Sequence, residues 1–244
     1  MIYKEIPIQV EGSDKTSRAQ FYILDTLPDE MKIQKRPIIL ICPGGGYHKV
    51  SYREGEPLAM QFFESGLSCM CVTVFRVTGG ILSDTAFLEV TESVRQIHEH
   101  AKEWYIDTKK IVLAGASAGG HLAANYCAFW KREFLVEKSG MQREMLKPRG
   151  LILCYPVITS DPKYAHTPKL PESSWRHSRG RGLELIFGSS DYRFHAALFY
   201  LAYSNRSDST AAEFSAACYG IMESRHSGGA ACVSGRDSWT QPCQ

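Results

Sequence analysis

The stretch Ile111-Val112-Leu113-Ala114-Gly115-Ala116-Ser117-Ala118-Gly119-Gly120-His121-Leu122 decides how the chain is read. An apolar, β-like run meets Gly-x-Ser-x-Gly and continues as a helix of small residues. This is the sequence form of a nucleophile elbow, a sharp strand-to-helix turn that lifts one serine hydroxyl above a sheet. Such a turn strains the backbone of the serine, and a side chain at Gly115 or Gly119 would collide with the neighbouring strand or helix. Ser117 is therefore the candidate nucleophile, with the backbone N–H of Ala118 beside it.

Upstream, Pro37-Ile38-Ile39-Leu40-Ile41-Cys42 is continuously apolar, as expected of a central strand covered on both faces. It ends at Pro43-Gly44-Gly45-Gly46-Tyr47. A glycine triplet alone fits a plain turn as well as a loop whose N–H groups face a developing oxyanion. Paired with an elbow it takes the second meaning, because that hole uses one N–H after the nucleophile and one from the loop after the third strand. The candidate oxyanion donors are the N–H of Ala118 and that of Gly45 or Gly46.

The remaining pattern alternates strands and helices. Residues 3–10 and 19–24 read as an antiparallel pair at a sheet edge, joined through the polar turn Glu11-Gly12-Ser13-Asp14. Residues 56–65 form an amphipathic helix with Pro57 in its first turn and Gly66 past its end. Residues 68–75 are a strand. A helix starts at Ser83-Asp84-Thr85 and runs to about Trp104, with Phe87, Leu88, Val94, Ile97 and Ala101 on one face. His98 and His100 are expected in solvated, structural roles on it. Residues 118–130 are the helix leaving the elbow, 131–149 a polar connection, and 150–158 another buried strand. His121, four residues after Ser117, points along the helix flank and reads as structural. Strands alternating with helices predict a parallel sheet covered on both faces, with reactive residues at the carboxyl ends of its strands.

Composition sets the outer bounds. At 244 residues and 44% apolar content the chain suits one α/β domain. A net charge of +2 leaves no broad basic face, which excludes nucleic acid as a partner. No segment reads as a leader or a membrane span, so a cytoplasmic protein without membrane contact is expected. Cys42, Cys69, Cys71, Cys127 and Cys154 fall in apolar patterns as buried thiols, and Cys69 and Cys71 lack the second pair that zinc requires. No metal and no cofactor are expected. The oligomeric state is open.

Together, Pro43-Gly44-Gly45-Gly46-Tyr47, Glu103-Trp104-Tyr105-Ile106-Asp107, the elbow and Tyr155-Pro156-Val157 resemble the α/β-hydrolase fold. More narrowly they are similar to small bacterial carbohydrate esterases of the acetylesterase or acetyl-xylan-esterase-like branch. The resemblance implies hydrolysis of small acyl esters through an acyl-enzyme on Ser117, with acetyl groups on sugars as the substrate class. It covers residues 1–165, the hydrolase core. That family carries its acid in Asp-x-x-Val-Pro after the next strand and its histidine near the end in His-Gly.

Residues 166–244 have neither motif and form an atypical tail, expected to be irregular from about residue 168. Only Leu183–Phe187 and 196–203 keep some periodicity in it, and the fold's last strand and helix are not legible. Its histidines His177, His195 and His226 and its acids Asp191, Asp208 and Asp237 follow no convincing strand, so the catalytic acid and histidine are unassigned. A slipped coding frame accounts for the change. Read one nucleotide later from about His195, permitted codons give an apolar strand ending in Asp-x-x-Val-Pro and then a second ending in His-Gly. The restored acid arises across Arg206 and Ser207, and the restored histidine across Ser238 and Trp239. The competing expectations are an impaired or inactive hydrolase homologue and a non-enzymatic binding module that uses the pocket above Ser117.

Overall fold

Strand β3 (Arg36–Cys42) shows how the layers arise, because its side chains alternate between two cores. Ile38, Leu40 and Cys42 join one apolar cluster, and Ile39 and Ile41 join the other, all of them fully buried. A strand apolar on both faces needs cover on both. Helix α1 (Glu56–Glu64) covers one face with Leu58, Ala59 and Phe62. Helices α2 (Asp84–His100) and α3 (Ser117–Phe129) cover the other with Leu88, Val94, Ile97, Leu122 and Tyr126.

The computed structural model describes residues 1–25, 35–46, 49–72, 84–156, 197–201 and 231–232. Its eight-stranded sheet has the order β1-β2-β4-β3-β5-β6-β7-β8. Strands β1 (Ile2–Pro7) and β2 (Arg18–Ile23) form the antiparallel edge pair, and β2 runs antiparallel to β4 (Ser68–Val72). From β4 onward every pairing is parallel, through β3, β5 (Ile106–Ala116), β6 (Gly150–Cys154), β7 (Ala197–Leu201) and β8 (Ala231–Cys232). The connection from β3 through α1 goes to one side of β3, and that from β4 through α2 returns to the other. Right-handed crossovers running in opposite directions place their helices on opposite faces, which is why α1 and α2 sandwich the sheet.

The structure matches the expected α/β hydrolase architecture and shifts several boundaries. The helix begun at Asp84 stops at His100, and Trp104 is buried in the following turn against Phe21, with ring centroids 4.7 Å apart. Strand β5 begins at Ile106, five residues before the apolar run, because the polar stretch Asp107-Thr108-Lys109-Lys110 hides its strand character. Residues 131–149 are more than a connection. They contain helix α4 (Glu133–Ser139), capped by Gly140 at φ 65°, and a 3₁₀ turn over Arg143–Leu146, which bury Leu135 and Leu146. A seven-residue helix among charges is too short to display a period. Strand β6 stops at Cys154, where Tyr155 turns to φ 37°. In the tail, the periodic residues 196–203 supply β7, and β8 adds a second parallel strand, so the sheet extends past the last strand legible in sequence. Apart from these two strands, the expectation of an irregular tail concerns residues outside the described ones, as do residues 73–75 and 157–158 of the expected strands.

The sheet edge is tied to α2 by a buried carboxyl. Glu89 is 3% exposed and accepts hydrogen bonds from Ser13 Oγ at 2.9 Å and Ser17 Oγ at 3.1 Å. Burial pushes its carboxyl up to about 7, the two hydroxyls offset part of that rise, and the negative charge of Asp14 adds to it. In the unfolded chain Glu89 ionises near its ordinary 4.5, so the folded state binds the extra proton between these values. Stability from this group is therefore full below pH 4.5 and declines as pH rises to about 7, by roughly 3 kcal/mol in all. Glu89→Gln keeps the hydroxyl bonds without the charge. Urea midpoints at pH 5 and pH 8 are expected to lie closer together in this variant than in the parent, with the variant the more stable at pH 8.

Candidate active site

Parallel registers bring three loops to one edge of the sheet. Cys42 pairs with Gly115 and Ala116 with Cys154, so the chain leaves β3, β5 and β6 side by side at Pro43, Ser117 and Tyr155. After β3 the chain moves toward β4, and after β5 it moves through α3 toward β6. Adjacent strands whose connections diverge leave a crevice at their carboxyl ends, where α/β proteins place their ligands.

Ser117 lies at that crevice with φ 51°, a left-handed conformation for a residue with a side chain. Such a position costs about 1–3 kcal/mol and persists only where surrounding packing imposes it. The packing is backbone on backbone. A Cβ at Gly119 would fall 2.0 Å from the Cys42 carbonyl oxygen and 2.5 Å from that of Pro43. Helix α3 therefore starts directly over the end of β3, as the sequence pattern requires. Gly115 is forced from within the turn, since a Cβ there would lie 2.5 Å from Gly119 O. Ala118 is in the first turn of α3, where N–H groups have no intrahelical acceptor and the helix dipole favours negative charge.

The glycine loop closes against this turn. Gly45 has φ 138° and its missing Cβ would lie 1.7 Å from Lys49 O, while Gly46 has φ 64°. No other residue type fits the first of these positions. Lys49 N–H donates to Gly45 O at 3.3 Å and Ser51 N–H to Gly44 O at 2.8 Å. The Cβ that Gly44 lacks would stand 2.8 Å from Ser117 Cβ, so the loop and the serine are in direct apposition. Gly44 N–H itself donates to Glu54 Oε2 at 2.7 Å, and Tyr155 OH donates to Glu54 Oε1 at 2.8 Å. Sequence reasoning missed Glu54. Its only signal is an acidic residue one short turn after the glycine loop, ahead of Gly55-Glu56-Pro57.

The described residues bring Ser117, Ala118, Gly45 and Gly46 to one crevice. His98 is half-buried and bonds the Met145 carbonyl at 3.0 Å, a contact with the 3₁₀ turn in place of the solvated role expected for it. Burial lowers its pKa and that carbonyl contact opposes the shift. His100 stacks on Trp104 at 4.3 Å and pairs with Glu103 at 3.2 Å. His121 is 3% exposed, and burial brings it down to about 4, so it is neutral at physiological pH and sits inside the α3 packing. His177, His195, His226, Asp191, Asp208 and Asp237 lie outside the described residues. The thiols of Cys42, Cys69, Cys127 and Cys154 are buried and outside any disulfide among the described residues, and burial pushes Cys42 up to about 12. Among the described residues no three His, Cys, Asp or Glu side chains cluster as metal ligands, and no helix is long and apolar enough to cross a membrane.

The strained serine and the close-approach glycine respond oppositely to substitution. Ser117→Gly is expected to raise unfolding free energy by about 1 kcal/mol through release of the φ strain. Gly119→Ala is expected to lower it by about 3 kcal/mol, because the added methyl meets fixed backbone. Urea denaturation of both variants checks the pair.

Comparison with known proteins agrees with this geometry. The family model described as alpha/beta hydrolase fold matches residues 81–215, more than half of the chain, and runs beyond residue 165, where the motif resemblance stops. The endo-1,4-beta-xylanase B of Butyrivibrio fibrisolvens is 32% identical over 139 residues, 54% of this chain and 21% of that protein. The acetylxylan esterase of Xylanibacter ruminicola is 29% identical over 129 residues, 52% of this chain and 24% of that protein. The chain thus spans less than a quarter of the length of these two relatives. Among solved structures, a lipase/esterase from Lactobacillus plantarum superimposes with a TM-score of 0.68 at 20% identity, covering 95% of this chain and 91% of that one. With its divergent crevice, strained elbow serine and glycine loop, the chain belongs to the alpha/beta hydrolase fold family.

Proposed function

We propose that Ser117 is the nucleophile of a serine esterase that acts on small acyl esters, with acetyl groups on carbohydrates as the substrate class. The observation that carries this reading is the strained Ser117 at φ 51° held against a glycine loop at the crevice of the sheet. Ser117 Oγ attacks the ester carbonyl as a base takes its proton. The tetrahedral oxyanion accepts from the N–H of Ala118 and from Gly45 or Gly46, and collapse releases the alcohol and leaves the acyl group on Ser117. Water then hydrolyses the acyl-enzyme. Gly44 N–H is already engaged by Glu54, which favours the next two glycines as donors. The acetylxylan esterase relative supports the choice of acetylated sugar. The partner is a small molecule and no cofactor enters. We place the protein in the cytoplasm, where the buried cysteines stay reduced.

A second reading is favoured by the described histidines: His98 contacts the Met145 carbonyl, His100 contacts Glu103 and Trp104, and His121 is buried with its pKa lowered. In it the chain as written is an impaired hydrolase whose tail records a slipped coding frame, so that 1–165 is the core and 166–244 replaces the end bearing the acid and histidine.

A fluorophosphonate probe and a short-chain nitrophenyl ester separate these readings when applied to the written chain, its Ser117→Ala variant and a frame-restored chain. The restored chain is expected to turn over roughly a thousandfold faster than the written one, and Ser117→Ala to abolish labelling. Robust turnover by the written chain that depends on Ser117 would assign a tail histidine as the base. Labelling that survives in Ser117→Ala refutes the nucleophile.

A further inference from the structure

The glycine loop is held by more than its own backbone. Glu54, the last residue of the 3₁₀ turn Tyr52–Glu54, sends its carboxylate back to the sheet edge. Oε2 accepts from Gly44 N–H at 2.7 Å and Oε1 accepts from the Tyr155 hydroxyl at 2.8 Å. Both oxygens are therefore used, one on the loop after β3 and one on the loop after β6. The carboxylate is also next to the serine, since Oε2 and Ser117 Cβ lie 2.5 and 2.8 Å from a single point, the Cβ position that Gly44 lacks. A side chain at Gly44 would displace the carboxylate, so this glycine is required by the bridge.

The two ends of the bridge are anchored independently. Gly44 O accepts from Ser51 N–H at 2.8 Å, which fixes the plane of the following peptide. Tyr155 is held at φ 37° directly after β6, and the next residue, Pro156, packs its ring on α3 where a Cβ at Gly120 would lie 2.7 Å from Pro156 Cβ. A bidentate carboxylate between two anchored loops leaves little freedom to the peptides that follow Gly44. Those peptides carry the N–H groups of Gly45 and Gly46.

We propose that Glu54 is a positioning residue: its carboxylate clamps the loop after β3 to the loop after β6 across Ser117 and aims the Gly45 and Gly46 N–H groups at the reacting oxygen. The proposal rests on the reading of Ser117 as nucleophile. Glu54 touches no reacting atom. It acts through Gly44, in the manner of a preset oxyanion hole that needs no reorganisation when charge develops.

Three variants of the full chain test it: Glu54→Ala, Glu54→Gln and Tyr155→Phe. Exchange of the Gly44 amide hydrogen, followed by NMR, needs no turnover. It is expected to accelerate at least about tenfold in Glu54→Ala, the loss of one charge-assisted bond, and less in Tyr155→Phe. Glu54→Gln should remain near the parent, because its amide oxygen can accept from Gly44 N–H while its NH₂ donates to a Tyr155 hydroxyl turned to accept. Fluorophosphonate labelling of Ser117 gives the second readout: the maximal rate is expected to fall about tenfold in Glu54→Ala with half-saturation unchanged, and to recover in Glu54→Gln. Equal Gly44 exchange in the parent and Glu54→Ala overturns the clamp, whether or not the chain takes the label. Faster exchange with unchanged labelling overturns the positioning role. Labelling that persists in Ser117→Ala refutes the nucleophile instead, and the exchange rates still judge the bridge.

Discussion

The contact on which the rest of the structure depends is the approach of the first turn of α3 to the end of β3, where Gly119 leaves no room for even one methyl against the carbonyls of Cys42 and Pro43. Two backbones this close fix the direction in which the chain must leave β5. Ser117 makes the turn at φ 51°. The strain is held by what lies behind it: Leu122 and Tyr126 of α3 are packed into the core on which β3 and β5 also rest. Local strain at the serine and burial along the helix are thus two sides of one arrangement.

Around that contact, the loops are tied by polar groups drawn from distant parts of the chain. Glu54 joins the loops after β3 and β6, and Glu89 joins α2 to the turn between the two edge strands. The carboxyls differ in environment. Glu89 is sealed from water and held mostly by neutral hydroxyls, so burial dominates its titration. Glu54 stays partly open to solvent at the mouth of the crevice, with a backbone amide and a phenol as donors. The first serves the stability of an edge; the second lies beside the candidate nucleophile Ser117.

The sheet itself accounts for the gathering of the site. Parallel pairing in register delivers the ends of β3, β5 and β6 to one line, and the reversal of connection direction between β3 and β5 opens the crevice there. Nothing in the glycine triplet alone distinguishes it from a plain turn. It becomes part of the candidate site because β3 lies beside β5, a pairing between segments separated by more than sixty residues.

Much of this was legible in the sequence, for a definable reason. The elbow, the buried strand over Ile38–Cys42 and the helices over Glu56–Glu64 and Asp84–His100 each write their constraint within one short window, as small residues where backbones touch and as apolar periods where faces are buried. Helix α4 was not legible, being one charged segment too short to show a period, nor was the start of β5 in its polar residues. From the sequence by itself came the fold family, the serine, the glycine loop and the break in pattern along the tail. Only the tertiary structure decided that Glu54 and Tyr155 meet, that Glu89 is sealed under Ser13 and Ser17, and that His98 turns to Met145. These are pairings of single polar groups across long separations. They leave no periodic trace, and their partners are chosen by the packing of the layers between them.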